Sequence, residues 1–357
     1  MTPLPFRRAL GRTVLAAAIA LSAAATPGVS IAETFVGSWN IRNLGWGDQK
    51  DHEAVAAVAG RYDLLAVQEV MTEEGLEHLL VELERTTGVR WQALKSHRVG
   101  RGSYKEMYAF LFRPDRIEWV DGAVVYIDDR DVFEREPFSA VFRSADGGDF
   151  VLASAHLIYG DSVDRRRREA AALAGYRDWL EEAFPGLPVF IAGDFNLQPS
   201  DTAWSEPGRK SFPLIRDGAT TLGKRNGSYA NLYDNIWAPS GMDLPIAGFG
   251  IDEFPAELLR ITHEQARAEV SDHAPVFMVL DESVATVRFE PWLGSGPRDQ
   301  ADVSIEPSLP AVIGNSNSGI YHVEGCPGYS RTSQRNRALF DSEAEALTAG
   351  YRRARNC

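Results

Sequence analysis

In residues 189–200, VFIAGDFNLQPS, an apolar run bounded by Pro188 and Pro199 ends in a carboxylate and an amide, Asp194 and Asn196. The same ending recurs along the chain. Asn40 follows VGSW, Glu69 follows LLAVQ and His156 follows VLASA; Asp234 lies inside NLYDNIW, and Asp272-His273 introduces APVFMVL. Any one of these can be an Asx turn or a solvated loop. Six apolar segments that each deliver an ionisable or amide group to an edge are another matter, because burying such groups destabilises a fold unless they bind something or pair. Asn, Glu and Asp are hard oxygen donors suited to Mg²⁺, Mn²⁺ or Ca²⁺ rather than Zn²⁺. Two histidines with separate carboxylate partners supply a general acid and a general base near neutral pH. No Gly-x-Ser-x-Gly elbow, P-loop or dinucleotide fingerprint accompanies them. A metal with two acid/base histidines and no covalent nucleophile fits hydrolysis of a phosphoester by water.

The elements that must position these groups alternate between the two periodicities from about residue 34 to 280. TFVGSWNI, DLLAVQEV, MYAFLFR, IEWVDGAVVYI and VFIAGD read as strands, and SAVFRSADGGDFVLASAHL reads as a hairpin turning at Asp146-Gly147-Gly148. DHEAVAAVAGRY reads as a short helix, EGLEHLLVELERTTG as an amphipathic helix closed by Gly88, and DRRRREAAALAGYRDWLEEAF as a helix with an aliphatic stripe. YANLYDNIWAP and DHAPVFMVL complete the unit. Hairpins mixed with helical crossovers predict an α+β fold: a four-layer sandwich of two mixed β-sheets flanked by helices.

The ends of the chain carry different information. Arg7, Arg8 and Arg12 precede an apolar stretch that closes at Ser30-Ile31-Ala32, so residues 1–32 read as a secretory signal peptide cleaved after Ala32. No later segment has the length and hydropathy of a membrane span. The expected protein is secreted or periplasmic, without membrane attachment, and monomeric. Removing the three arginines takes the formal charge from −13 to −16. So acidic a protein that handled phosphodiesters would need divalent cations and would bind without sequence preference. Residues 33–281 form the predicted main domain, 282–310 a Pro- and Gly-rich linker, and 311–357 a small separate unit. Both cysteines, Cys326 and Cys357, lie in that last unit and can pair in an oxidising compartment.

The set SWNIRNL, AVQEV, SAHL, AGDFN, YDNI and SDHAP resembles the endonuclease/exonuclease/phosphatase superfamily across residues 34–280. RVGRGSYKEMYAFLFRPDRI followed by DVFEREP is similar to its deoxyribonuclease I branch. That resemblance implies a divalent-metal-dependent endonuclease that nicks DNA with little sequence preference and leaves 5′-phosphate ends. Glu69, Asn40 and Asp272 would hold Mg²⁺ or Mn²⁺. His156, oriented by Glu106, would protonate the departing 3′ oxygen, and His273, paired with Asp234, would handle the attacking water. Asp194 would position that water and Asn196 a phosphate oxygen. Arg101, Tyr104 and Arg135 would touch the DNA backbone and minor groove, contacts that position a duplex without reading it. Asp128, Asp129, Asp131 and Glu136 are candidates for a structural Ca²⁺. Met71 stands where the branch carries an arginine, which removes one groove contact.

The other expectations open to this superfamily are a sphingomyelinase or an inositol or sugar phosphatase. From another class comes a non-catalytic DNA-binding protein. The C-terminal unit resembles the metal-binding domain of the Ada DNA-repair protein. His322, Cys326 and Cys357 occupy three of that domain's four zinc-ligand positions, but Ala354 fills the fourth. A Cys326–Cys357 disulfide and a Zn²⁺ site both remain open there.

Overall fold

The computed structural model describes residues 33–293 except Asp48, Asp146 and Asp161, and residues 312–316, 318–323, 336–340 and 343–354. In chain order the first part is β1 (Thr34–Leu44), α1 (His52–Ala59), β2 (Leu64–Val70), α2 (Glu73–Thr87), β3 (Gln92–Lys95), β4 (Met107–Phe112), β5 (Ile117–Val125), β6 (Phe138–Ser144), β7 (Asp149–His156) and α3 (Val163–Ala183). There follow β8 (Val189–Asp194), β9 (Ser211–Pro213), β10 (Asp234–Pro239), β11 (Asp243–Leu244), β12 (Ile246–Ile251), α4 (His263–Glu269), β13 (Val276–Leu280) and β14 (Val287–Arg288).

Two six-stranded mixed sheets result, in the orders β12-β13-β1-β2-β4-β3 and β5-β6-β7-β8-β10-β9. The inner strands β1, β2, β4, β6, β7, β8 and β10 are buried on both faces, and their two-residue alternation divides each between two cores. Leu64 and Ala66 of β2 and Tyr108, Phe110 and Phe112 of β4 face the second sheet, where Phe138, Phe142, Leu152 and Ile236 meet them. Leu65 and Val67, with Met107, Ala109 and Leu111, face outward and are covered by residues of α1, α2 and α4, among them Val55, Leu79 and Ala266. On the far side, Leu173, Tyr176 and Leu180 of α3 cover Val151, Ile191 and Trp237. The predicted four layers are therefore present. α2 begins at Thr72, whose hydroxyl accepts the Gly75 N–H, and ends at Gly88 in the left-handed conformation (φ 72°).

Pairing sets the end at which the expected site residues gather. β1 and β2 are parallel, with Asn40 opposite Gln68. β7 and β8 are parallel, with His156 opposite Asp194, and β10 runs antiparallel to β8 with Asp234 also opposite Asp194. Three chemically active side chains thus stand in one row across neighbouring strands.

Several elements were not legible. β9, β12 and α4 are short and lack a readable period, and only Asp234–Pro239 of YANLYDNIWAP is strand. The stripe of α3 is not wholly aliphatic, because Glu169 and Arg177 lie buried in it. The segment read as a linker from residue 282 is attached to the sandwich as far as Trp292. Arg288 pairs with Asp243 across β14 and β11, Phe289 stacks on Phe212 at 4.9 Å, and the Trp292 N–H reaches the Gly208 carbonyl at 2.7 Å. Isolated aromatic anchors hold that segment, and they leave no periodic trace.

The C-terminal unit is a four-stranded sheet: β15 (Val312–Asn315) between β16 (Ile320–Val323) and β17 (Arg337–Phe340), with β18 (Arg352–Arg353) beside β16, and one helix, α5 (Glu343–Thr348). Val312, Tyr321 and Ala346 are its buried core. His322 is in β16, whereas Cys326 and Cys357 lie outside the described residues, as do the predicted signal peptide and residues 294–310. No helix among the described residues is long and apolar enough to cross a membrane.

Candidate active site

Asp194 closes β8 and is the hub. Its Oδ2 accepts the Asn40 amide N–H at 3.0 Å and lies 3.6 Å from His156 Nε2 and 3.7 Å from His273 Nε2. Its Oδ1 accepts the Asn196 backbone N–H at 3.0 Å. Each imidazole is held from behind by its own carboxylate: His156 Nδ1 by Glu106 Oε1 at 2.9 Å, and His273 Nδ1 by Asp234 Oδ2 at 2.8 Å. The backbone fixes both rings further. Tyr108 Oη accepts the His156 N–H at 2.9 Å, and Trp39 Nε1 donates to the His273 carbonyl at 2.7 Å. Two imidazole–carboxylate dyads thus converge on one buried carboxylate.

Burial opposes every charge here, but the partners outweigh it in four cases. Burial pushes the Asp194 carboxyl up, and the two imidazoles with the Asn40 and Asn196 N–H groups bring it below the ordinary value. Burial and Arg135 push His156 down, and Glu106 with Asp194 raises it. Burial pushes His273 down as well, but Asp234 and Asp194 carry it up to about 10. Glu106 is lowered: burial raises it, and His156 and Arg135 more than reverse that. The arrangement sets a lowered carboxyl between two imidazoles held above their ordinary value, while burial raises Asp234 despite the pull of His273.

Glu69 sits beside this hub. Its backbone is left-handed (φ 60°), at an irregularity in the pairing of β2 with β4 between Val67 and Val70. A non-glycine residue in that conformation is strained, and here the bulge turns the carboxylate out of the sheet. Oε1 accepts the Asn40 amide at 2.9 Å and Oε2 the Asn43 N–H at 3.0 Å. The Asn40 oxygen accepts the Arg42 N–H at 3.0 Å. Carboxylate and amide oxygens such as these are the donor type a divalent cation prefers. Asp272, expected with them, is instead 3.6 Å from Arg42 Nε and 3.4 Å from Arg267 Nη2. Among the described residues the acidic cluster with metal-binding spacing is Asp194, Asp234 and His273, with ligand atoms within 4.8 Å of one another.

The expected DNA contacts divide. Tyr104 lines a cleft of about 290 Å³ with Glu69, His156, Ile158 and Tyr159. Its hydroxyl donates to Asn43 Oδ1 at 3.2 Å, and its ring meets Trp46 edge-on at 5.5 Å. Arg135 reaches the same cleft but is only 7% exposed. It donates to the carbonyls of His156 and Leu157 at 3.0 and 3.1 Å and stands 3.8 Å from Glu106 Oε2, so it braces the His156 dyad from within. Asn196 (φ 49°) gives its amide N–H to the Leu157 carbonyl at 2.9 Å. Arg101 is paired with Asp131 at 2.9 Å. Asp128 Oδ2 caps the N–H groups of Val132 and Phe133 at 2.5 and 2.8 Å. With Asp129, Asp131 and Glu136 it does not form a cluster of metal-binding spacing. Met71 is fully buried.

Residues 37–273 match the Endonuclease/Exonuclease/phosphatase family. The chain belongs to that family. A deoxyribonuclease of Thioalkalivibrio sp. (strain K90mix) is 46% identical to it over 264 residues, 71% of this chain and 73% of that protein. Human deoxyribonuclease gamma is 30% identical over 273 residues, 70% of this chain and 86% of that protein. The crystal structure of an endonuclease/exonuclease/phosphatase from Bacteroides vulgatus superposes with a TM-score of 0.50 at 18% identity, covering 70% of this chain and 99% of that one, a likeness of fold alone.

Two supports of this family member's site escaped sequence reasoning. Lys50 donates to the carbonyls of Ile41, Arg42 and Val270, and burial with the neighbouring Arg42 brings it down to about 8 against the pull of Glu69 and Asp272. Ser271 Oγ donates to the Asn40 carbonyl at 2.7 Å and accepts the His273 N–H at 3.1 Å. Nothing in the local sequence marks either one, because their partners are remote in the chain.

Proposed function

We propose that this protein is an exported endonuclease that hydrolyses DNA phosphodiesters without marked sequence preference, leaving 5′-phosphate and 3′-hydroxyl ends with the aid of Mg²⁺ or Mn²⁺. The observation that carries the reading is the convergence of the His156–Glu106 and His273–Asp234 dyads on Asp194, in a chain similar to deoxyribonucleases over most of its length. Glu69 and Asn40 offer the hard oxygens that would hold the cation, which neutralises charge on the scissile phosphate when bound. Asp272, tied to two arginines, would act behind them.

The remaining chemistry belongs to the chain. His156, whose hold on its proton Glu106 and Asp194 strengthen, gives that proton to the 3′ oxygen as the P–O3′ bond breaks. Asp194 orients the water that attacks phosphorus from the other side. His273, whose hold on a proton Asp234 and Asp194 strengthen, keeps that water in place and takes up its proton only after giving up its own. Export rests on residues 1–32, and the Ada-like C-terminal unit on its sequence pattern. The test is supercoiled plasmid incubated with the mature protein and Mg²⁺, beside a chelator lane and a His156→Ala lane. Nicked circles that vanish in both controls support the reading. Intact plasmid with every divalent metal overturns it.

A further inference from the structure

This acidic chain carries a basic lip beside its cleft. Four consecutive arginines, Arg165 to Arg168, occupy the first turns of α3 in a protein of net charge −13. Two are neutralised: Arg167 by Asp201 at 3.0 Å and Arg165 by Glu134 at 3.2 Å. The other two are not. Arg166 donates Nη1 to the Asn196 carbonyl at 3.1 Å, lies 5.1 Å from the centre of the Tyr159 ring, and has its Nε buried with no hydrogen-bond partner. Arg168 is exposed and makes no ion pair or hydrogen bond with any described residue.

Arg168 shares a helix face with Arg165, three residues earlier. Together with Arg101 they line a cavity of about 260 Å³ whose wall includes Glu169. Glu169 links this cavity to the cleft, because its carboxylate accepts the N–H groups of Glu134 and Ile158, each at 2.7 Å, and both residues line the cleft. Tyr159 lines the cleft, is 63% exposed, and carries the Arg166 guanidinium over its ring.

We propose that Tyr159, Arg166 and Arg168 form a lip that grips the sugar–phosphate backbone of the DNA strand beyond the nucleotides at the scissile bond. This rests on the nuclease reading above. Guanidinium groups match phosphate oxygens in geometry and charge, and an exposed ring beside them offers a flat face to a deoxyribose. Such a grip reads no sequence and compensates locally for the protein's overall negative charge.

The experiment compares Arg168→Ala, the charge reversal Arg168→Glu, and Arg209→Ala, which removes a single charge at an exposed position paired with Glu206. Each is assayed on plasmid across a salt series and on bis(p-nitrophenyl) phosphate, a diester too short to reach Arg168; thermal melting checks folding. For Arg168→Ala the slope of log kcat/KM against log salt should shrink by about 0.9, the value for one lost phosphate contact on duplex DNA. The charge reversal should lower the ratio of DNA to small-diester kcat/KM by about tenfold, and Arg209→Ala should match the parent. A parental salt slope and ratio in the lip variants would overturn the proposal, and so would an equal loss on both substrates. Failure of the nuclease reading is distinguishable, since the parent itself would then leave plasmid intact.

Discussion

Each side chain at the centre depends on a charge of the opposite sign. His273 is carried up to about 10, above the ordinary imidazole value near 6.5. The sign follows from linkage. A group whose folded pKa is raised stabilises the fold fully below its unfolded value and loses that contribution as pH rises through the folded one. The metal-free protein should therefore lose stability progressively between about pH 6.5 and 10. His273→Gln should flatten that stretch in urea denaturation series; an unchanged slope would show that His273 is neutral in the fold. His156→Ala should reduce kcat by about 10² to 10⁴, the usual worth of a positioned proton donor. Arg135 carries a different expectation. Arg135→Met leaves Glu106 Oε2 without the nearby cation in a buried site, so the Glu106 carboxyl should rise. The loss should be about 3–5 kcal/mol, the cost of breaking a buried pair from one side. Thermal melting at pH 5 and pH 7 checks it: the deficit relative to the parent should be present at both.

At the scale of elements, the row His156–Asp194–Asp234 exists because β7 lies very close to β8. Gly193 makes that approach possible. It sits at φ +147°, and a Cβ there would fall 1.8 Å from the Ala155 carbonyl oxygen. Gly193→Ala must therefore push the strands apart next to two catalytic residues. We expect a loss of about 3 kcal/mol or more, a fall in melting temperature of about 6–12 °C, and a loss of kcat larger than any change in KM. A variant that melts and turns over like the parent would show that the strands slide at little cost. The strands themselves were readable, because continuous apolar runs bounded by turn residues have few alternatives. β12, α4 and the stretch up to Trp292 were not. Their stability comes from single contacts such as Phe289 on Phe212, which no local period records.

Over the whole molecule, the export reading meets the fold at one point. Thr34 is fully buried in β1, and Arg116 donates to the Glu33 carbonyl at 2.6 Å. Cleavage after Ala32 leaves both interactions intact. Mass spectrometry of exported protein should give a chain beginning at Glu33; a start several residues later would break the edge of β1 and contradict this boundary.

The sequence by itself determined the residue types, oxygen donors and two histidines at the ends of apolar runs, from which the proposal of a metal-assisted hydrolysis is drawn. It also determined the layered α+β architecture, since strand and helix periods are local properties of the chain. The family resemblance named the pairs His156–Glu106 and His273–Asp234, which lie 50 and 39 residues apart; only the tertiary structure decided that both imidazoles converge on Asp194. It turned Arg135 from a surface contact into an internal brace, tied Asp272 to two arginines, and left Arg168 unpaired beside the cleft. The physical reason is common to all of these. A side chain's charge is written in the sequence, but its pKa, its burial and its partner are set by which strands lie side by side.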